Sequence, residues 1–246
     1  MQLQESLVKP QPVRKAGSTL IIAPNQAFLR ALQAAQSFRR LKLLYDCVPL
    51  QSCGDTALLG PLLGAPAAVA CTEGLLSSGI RRVVLTGFIG GLRNAAVPLA
   101  AGDLLFPRGA FSEDGTSKLY GGSERDQSPP GELQLGLEAL LKARLGELPA
   151  HVGAFEGPIW TTDAPFRETE AKVEQHLAEG VLGVDMEYAA VLRLCHMYEA
   201  ELAAVFVISD LVGGAWEKRF SSAGSSAGLT RLAEILCAFA TRCNER

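Results

Sequence analysis

The chain lacks any long apolar run, since no stretch approaches the roughly 20 apolar residues that a membrane-spanning helix needs. It also lacks an excess of basic charge, because 23 Lys and Arg residues stand against 26 Asp and Glu residues, a net charge of -3. A weakly acidic surface offers no general attraction to nucleic acid or to an anionic membrane. We therefore expect neither of these among the partners.

Recognisable metal motifs are missing as well. The six cysteines form no C-x-x-C pair, and none stands at zinc-ligand spacing from one of the three histidines. They are typical of small buried side chains in a reducing compartment, and we expect no metal and no organic cofactor. The opening stretch, MQLQESLVKPQPVRK, contains no apolar segment of the kind found in a secretory leader. These features predict a cytoplasmic protein.

Hydrophobic residues make up 48% of the 246 residues, enough for a sizeable core. Short apolar runs alternate with helical patterns. Strands are predicted at 18–24, 81–87, 102–107, 151–157, 181–185 and 202–209, and helices at 26–42, 67–80, 132–146, 167–180, 187–199 and 229–243. The alternation predicts one α/β domain over residues 18–246, after an extension of residues 1–17. Its mixed, mostly parallel sheet is covered by helices on both faces.

Two segments have no periodicity. Residues 108–131 carry turn residues throughout, which predicts a long functional or flexible loop. Residues 213–228 are rich in Gly and Ser and contain Trp216, Arg219 and Phe220. This second segment is either a lid over a binding site or a plain surface connection.

Four predicted strands end in polar or glycine-rich residues. These ends are APNQ (23–26), TGFIGGL (86–92), the stretch 185–187 and Asp210. Because ligands of such folds bind outside the carboxyl ends of the strands, we expect the four ends to line one crevice. Asp185 and Asp210 also have a simpler interpretation as helix caps, and Asp185 fits that interpretation best. Glu187 fits it less well, since the YAAVL that follows is apolar.

The stretch GVDMEYAAVL (183–192), with VFVISD at 205–210, resembles the signature of the nucleoside phosphorylase superfamily of the purine nucleoside phosphorylase and uridine phosphorylase type. That superfamily also contains methylthioadenosine/S-adenosylhomocysteine nucleosidase and futalosine hydrolase. Segments 64–92, 101–120 and 160–171 resemble the family in the same order, so the likeness spans roughly residues 18–240. It implies a three-layer sandwich with a partly barrel-like sheet. It also implies a homo-oligomer of two to six subunits, with residues 108–131 in the contact.

The resemblance assigns the two acids to the two halves of a nucleoside. Glu187 would hold two ribose hydroxyls through charge-assisted hydrogen bonds, with Met186 packed under the sugar. Asp210, steadied by Ser209, would donate a proton to the departing base. Phe166 is the candidate for the face of the base, and Trp160 is a weaker one. Plain core packing is the alternative for both aromatic rings.

The half of the site that binds the acceptor departs from the family pattern. A phosphorylase usually has an arginine just before the glycine loop and a Ser or Thr within it, and here those places hold Leu85 and Phe88. Thr86, Gly87 and the loop N–H groups remain as phosphate donors. Arg30 resembles a phosphate-binding arginine, although a solvated helix face explains it equally well.

A hydrolase of this family usually has a glutamate after the first strand, but APNQ contains no acid. Asn25 or Gln26 can orient a water molecule there but cannot take its proton. We predict an enzyme that cleaves the N-ribosidic bond of a nucleoside, with phosphate as the favoured co-substrate and water as the alternative. Asp210 favours a purine-type base. The pattern also fits a nucleoside-binding protein without turnover, or an enzyme for a bulky apolar base or 5′ substituent that Phe88 would contact.

Overall fold

The computed structural model describes residues 18–41, 49–93, 96–127, 129–148, 152–165, 168–212 and 226–244. The candidate base-stacking residue Phe166 and almost all of the candidate lid, residues 213–225, lie outside these ranges. None of the helices within them is long and apolar enough to cross a membrane.

Strand and helix alternate through most of the chain, as the sequence pattern predicts. The strands are β1 (Thr19–Ile22), β2 (Arg39–Arg40), β3 (Leu50–Cys53), β4 (Thr56–Leu59), β5 (Arg82–Leu92), β6 (Leu104–Ser112), β7 (Arg125–Asp126), β8 (Ala154–Thr161), β9 (Gly183–Asp185) and β10 (Glu201–Val212). The helices are α1 (Gln26–Ala35), α2 (Ala65–Ser77), α3 (Gly115–Leu119), α4 (Glu132–Ala143), α5 (Glu170–Ala178), α6 (Tyr188–Met197) and α7 (Ser226–Asn244), with a 3-10 turn at Leu145–Glu147.

The strands form one mixed sheet that closes on part of itself. Its order is β10-β6-β8-β9-β5-β1-β4-β3-β2, and β10 also pairs along the length of β5. Strands β10, β6, β8, β9 and β5 therefore make a closed barrel, from which β1, β4, β3 and β2 extend as an open sheet. The predicted partly barrel-like α/β fold is confirmed, and β5 belongs to both parts.

Helices cover the sheet on both faces. Leu20 and Ile22 of β1 pack into the same cluster as the buried side chains of α2 and α6, whereas Ile21 packs with α1 and α7. This alternation is what a strand buried on both faces requires. A third, smaller cluster contains Trp160 and Val173 and lies where α5 covers the barrel.

Two predicted loops are wrong. The glycine-rich stretch 86–92 continues β5, because Gly90 pairs with Val184 on one edge and with Asp210 on the other. A Cβ on Gly91 would lie 3.0 Å from side-chain atoms of Ile208 and Leu211, so these glycines allow close packing of the strands. The stretch 108–131 likewise contains the end of β6, then α3 and β7.

Gln134 of α4 completes the sheet at an edge that no described strand covers. Its side-chain amide accepts a hydrogen bond from the backbone N–H of Ala204 (2.6 Å) and donates one to the carbonyl of the same residue (3.1 Å). Gln134 is buried and also donates to Glu138 at 2.7 Å. One side chain thus replaces a neighbouring strand for this residue of β10.

We expect Gln134→Leu to destabilise the fold, because both backbone groups of Ala204 then stay buried without a partner. Each such group costs about 1–3 kcal/mol. Urea unfolding measures the loss, and Gln175→Leu on the exposed face of α5 is the matched control, with an expected change within about 0.5 kcal/mol. Equal stability of the two variants would contradict the role given to Gln134.

Candidate active site

The edge of β5 is left open between two of its neighbours. β1 pairs with β5 from Thr19↔Arg82 to Ile22↔Leu85, and β9 pairs with it only at Gly90 and Gly91. Because β10 occupies the other edge, β1 and β9 share this one. Over Thr86–Ile89 no described strand covers it. We call this unpaired stretch of edge, with Asn25 at its β1 end and Glu187 beyond its β9 end, the notch.

The loop 60–64 joins the two ends of the notch. At the β1 end, the N–H of Leu62 donates to the carbonyl of Pro24 (3.0 Å). At the other end, the N–H of Gly64, just before α2, donates to Oε1 of Glu187 (2.7 Å). Gly60 has φ +148°, and a Cβ there would overlap the carbonyl oxygen of Ala23. The close contact therefore needs glycine at position 60.

The signature acids Asp185 and Glu187 are both buried, but they are held differently. Asp185 accepts hydrogen bonds from the Thr161 hydroxyl (2.6 Å) and from the N–H groups of Glu187 (3.1 Å) and Tyr188 (2.6 Å). It therefore caps the start of α6, which confirms the simpler interpretation of this residue. Glu187 accepts the N–H of Gly64 at the N-terminus of α2 and a backbone hydrogen bond from Met186.

This difference decides which acid of the pair keeps a proton. Burial raises the pKa of both carboxyls, and at Asp185 the three donors oppose the effect. At Glu187, burial and then the nearby charge of Asp185 raise the pKa from an ordinary 4.5 to about 8. Burial therefore favours the protonated form at Glu187 more than at Asp185, because the hydrogen-bond donors of Asp185 oppose the rise of its pKa.

The raised pKa of Glu187 predicts a pH-dependent stability. Between about pH 4.5 and pH 8 the folded chain keeps a proton that the unfolded chain has lost. We expect the free energy of unfolding to fall as the pH rises through this window, by at most about 1.4 kcal/mol per pH unit for one proton. Urea titrations across the window measure it. In Glu187→Gln the slope becomes flatter, and an unchanged slope would assign it to other groups.

Asp210 lies across β5 from the strand that leads to Glu187. Gly90 pairs with Asp210 of β10 and with Val184 of β9, so the backbones of Asp210 and Val184 are two strand spacings, about 10 Å, apart. The pairing of β10 with β5 shifts at Ser209, between Ile208 and Asp210. The Ser209 hydroxyl lies 2.6 Å from Oδ1 of Asp210 and 3.2 Å from the carbonyl of Ile89. It therefore contacts Asp210 as the sequence predicts.

Asn25 occupies the notch from the β1 side. Its Oδ1 accepts the N–H of Phe88 at 2.8 Å, and no side-chain cap on α1 competes with this bond. A Cβ on Gly87 would lie 2.8 Å from the same oxygen, so only glycine at position 87 leaves enough room for the Asn25 carboxamide. Among the described residues, Nδ2 of Asn25 has no hydrogen-bond partner.

Other predicted residues lie in varied surroundings. Met186 is half-buried, and Phe88 packs edge-on against Phe28 with ring centroids 5.0 Å apart. Thr86 is fully buried, and its hydroxyl has no hydrogen-bond partner among the described residues. Arg30 is exposed on α1, as expected of a solvated helix face.

The Trp160 ring is buried and stacks on His176 at 4.3 Å, with Lys172 over it at 5.7 Å. These contacts place Trp160 in the packing between β8 and α5, the alternative that the sequence left open. Within the described ranges, no group of three or more His, Cys, Asp or Glu side chains could hold a metal ion.

Sequence reasoning missed two residues that position the acids. Thr161 donates to Asp185, and it also accepts the N–H of Ala189 at 3.0 Å. Gly64 supplies the amide for Glu187, and the signal for it was present in the sequence. A glycine two positions before a proline, at the start of an apolar helical pattern, is typical of a helix N-terminus with free N–H groups.

The comparisons with known proteins agree with this architecture. The model of the phosphorylase superfamily matches residues 34–241. A guanosine phosphorylase of Halorubrum lacusprofundi is 27% identical over 161 residues, which cover 65% of this chain and 63% of that protein. The match thus spans less than two thirds of the relative's length.

Two solved structures share the fold. The purine nucleoside phosphorylase of Toxoplasma gondii in complex with immucillin-H has a TM-score of 0.78 at 17% identity and covers 99% of both chains. The AMP nucleosidase of Bacteroides thetaiotaomicron has a TM-score of 0.68 at 19% identity and covers 90% of this chain and 89% of that one.

A closed barrel with a side sheet, covered by helices on both faces, defines an α/β protein with the fold of these two structures. The chain belongs to the phosphorylase superfamily.

Proposed function

We propose that this protein cleaves the N-ribosidic bond of a purine-type nucleoside. The observation that carries the proposal is the Glu187 carboxyl, buried beside the notch and held by the amide of Gly64. A carboxyl group can form more hydrogen bonds than the two that the backbone of Gly64 and Met186 supplies, so Glu187 has unused hydrogen-bonding capacity. Two adjacent sugar hydroxyls offer the matching pair of groups.

Glu187 would act on the ribose. Its raised pKa favours the protonated form, and a neutral carboxyl can donate to one hydroxyl and accept from the other. As the bond to the base breaks, positive charge builds on the sugar ring. An ionised Glu187 stabilises that charge, so loss of its proton during the reaction favours cleavage.

Asp210 would act on the base from the β10 side. A carboxyl at this place can donate a proton to a ring nitrogen as the base departs. Ser209 supports the role, because its hydroxyl donates to Oδ1 of Asp210 and so holds the carboxyl in place. A purine offers a basic ring nitrogen beside the broken bond, and one relative of the chain is a guanosine phosphorylase.

Phosphate and water are the two acceptors that the sequence leaves open, and phosphate is the one that the family resemblance favours. Both reactions release the same free base. Release of the base therefore tests the proposal whichever acceptor is used.

The test is a panel of adenosine, guanosine, inosine and uridine, each with and without inorganic phosphate, followed by chromatography of the bases. We expect base release from a purine nucleoside at a rate at least about tenfold above that from uridine. A preference for uridine would contradict the purine assignment. Binding of nucleosides without release of a base would leave a binding protein instead of an enzyme.

A further inference from the structure

The described segments that border the notch carry no positive charge. Segments 22–26, 60–64, 85–91 and 183–188 border it, and none of them contains a lysine or an arginine. The last of them carries the two buried acids. A dianion placed here would lose its hydration without gaining a cation from these segments, and it would face acidic groups.

The backbone N–H of Phe88, which no described strand pairs, already donates a hydrogen bond to Asn25. Over Thr86–Ile89 the N–H of Phe88 points to the open edge, and it donates to Oδ1 of Asn25. An incoming anion would have to displace this bond and would meet the partial negative charge of the carboxamide oxygen. The carboxamide oxygen faces Phe88, because only an acceptor can pair with an N–H.

The same bond turns the other end of the carboxamide away from β5. With Oδ1 fixed on Phe88, Nδ2 keeps two N–H groups that have no partner among the described residues. An NH₂ group donates to the lone pairs of a neutral oxygen without needing a charge. Asn25 is thus suited to holding a small neutral molecule beside the sugar.

We propose that Asn25 positions a water molecule in the notch and that water is the acceptor in this protein. The inference rests on the proposed function. The bond between C1′ and the base nitrogen breaks with its electron pair on the base, which takes a proton from Asp210. The water oxygen bonds to C1′ and loses one proton to solvent, and Asp210 regains a proton from solvent. The products are free ribose and the neutral base.

The first test is product analysis of the full chain with its best purine nucleoside. We expect free ribose as the sugar product and a rate that inorganic phosphate changes by less than about twofold. Methanol, a second neutral acceptor, is expected to give methyl riboside in competition with ribose. Ribose 1-phosphate formed in a phosphate-dependent reaction would overturn the inference and leave the proposed function standing. No base release from any purine nucleoside would overturn both.

The second test separates positioning from folding. Asn25→Ala is expected to lower kcat about 10-fold to 100-fold with little change in KM for the nucleoside, since only the acceptor loses its orientation. Gln127→Ala, an exposed amide on another surface, is the control with unchanged kinetics. An unchanged kcat in Asn25→Ala, or a rise in KM alone, would reduce Asn25 to a structural part of the loop.

Asn25→Asp is expected to change the pH profile of kcat, which a purely structural role of Asn25 would leave unchanged. The carboxylate keeps an oxygen for the N–H of Phe88 and places a second oxygen where Nδ2 stood. This oxygen can take the proton of water, so the pH profile of kcat gains a rising limb that the parent lacks. A profile identical to that of the parent would speak against water at this position.

Discussion

Asp210→Asn is expected to lower kcat on purine nucleosides by about 10²- to 10⁴-fold, the usual contribution of a general acid. The asparagine keeps the size of the side chain and its contact with Ser209, but it has no acidic proton for the base. Since the carboxyl is only half-buried, the fold is expected to survive. Steady-state kinetics with the best purine nucleoside measure the loss, and KM is expected to change little.

A charged leaving group isolates this role. A nucleoside methylated at N7 of the purine carries a cationic base that departs without receiving a proton. We expect Asp210→Asn to keep most of its activity on such a substrate. The control is Asp55→Asn in the exposed turn between β3 and β4, which is expected to behave as the parent does on both substrates. An equal loss on both nucleosides would show that Asp210 does not protonate the base.

Glu187→Gln is expected to reduce kcat/KM for ribonucleosides by about 10²-fold or more, because hydrogen bonds to a charged group contribute about 1.5–3 kcal/mol each. Glutamine preserves the shape and the bond from Gly64 but cannot ionise as charge builds on the sugar. The substitution also removes a buried acid next to Asp185. We therefore expect a stability at or above that of the parent at pH 8, which excludes unfolding as the cause.

A comparison of ribonucleosides with 2′-deoxynucleosides tests whether Glu187 binds the sugar hydroxyls. A 2′-deoxynucleoside lacks one of the two groups that this carboxyl would hold. The penalty of Glu187→Gln is thus expected to be smaller on the deoxy substrate than on the ribo substrate, as in a double-mutant cycle. Glu132→Gln in the exposed first turn of α4 is the matched control. The same penalty on both substrates would place Glu187 away from the sugar hydroxyls.

The fold was largely predictable because its elements carry strong local patterns. The apolar run 18–24 and the helical pattern 187–199 correspond to β1 and α6 within a few residues. The predicted helix 26–42 was too long, since α1 ends at Ala35. Where local propensity is weak, pairing with strands that are distant in the sequence decides whether a segment becomes a strand. The glycines of β5 are typical of a loop by local propensity, yet Val184 and Asp210 pair on both sides of Gly90.

The candidate site was predictable in its acids and much less so in their partners. Asp185 ends a strand and Glu187 directly precedes a helix. In an α/β sequence this position, at the carboxyl end of a strand, is typical of ligand-binding residues. The donor from Gly64 comes from 123 positions away, and the bond of Asn25 to Phe88 spans 63 positions. No local pattern encodes such separations. Asn25 was recognised as able to orient water, but the amide that fixes its direction was visible only in the fold.

Gly60, with no room for a Cβ beside Ala23, has a practical consequence for anyone who redesigns this pocket. Insertions between positions 60 and 64 would displace both β1 and Glu187, because the loop is bonded to Pro24 and to Glu187. Lengthening that turn is therefore a poor route to an altered substrate range. Leu63 is different, because its side chain is 75% exposed between two anchored neighbours. A directed-evolution library is best started at this single position, where variety adds new contacts without disturbing the scaffold.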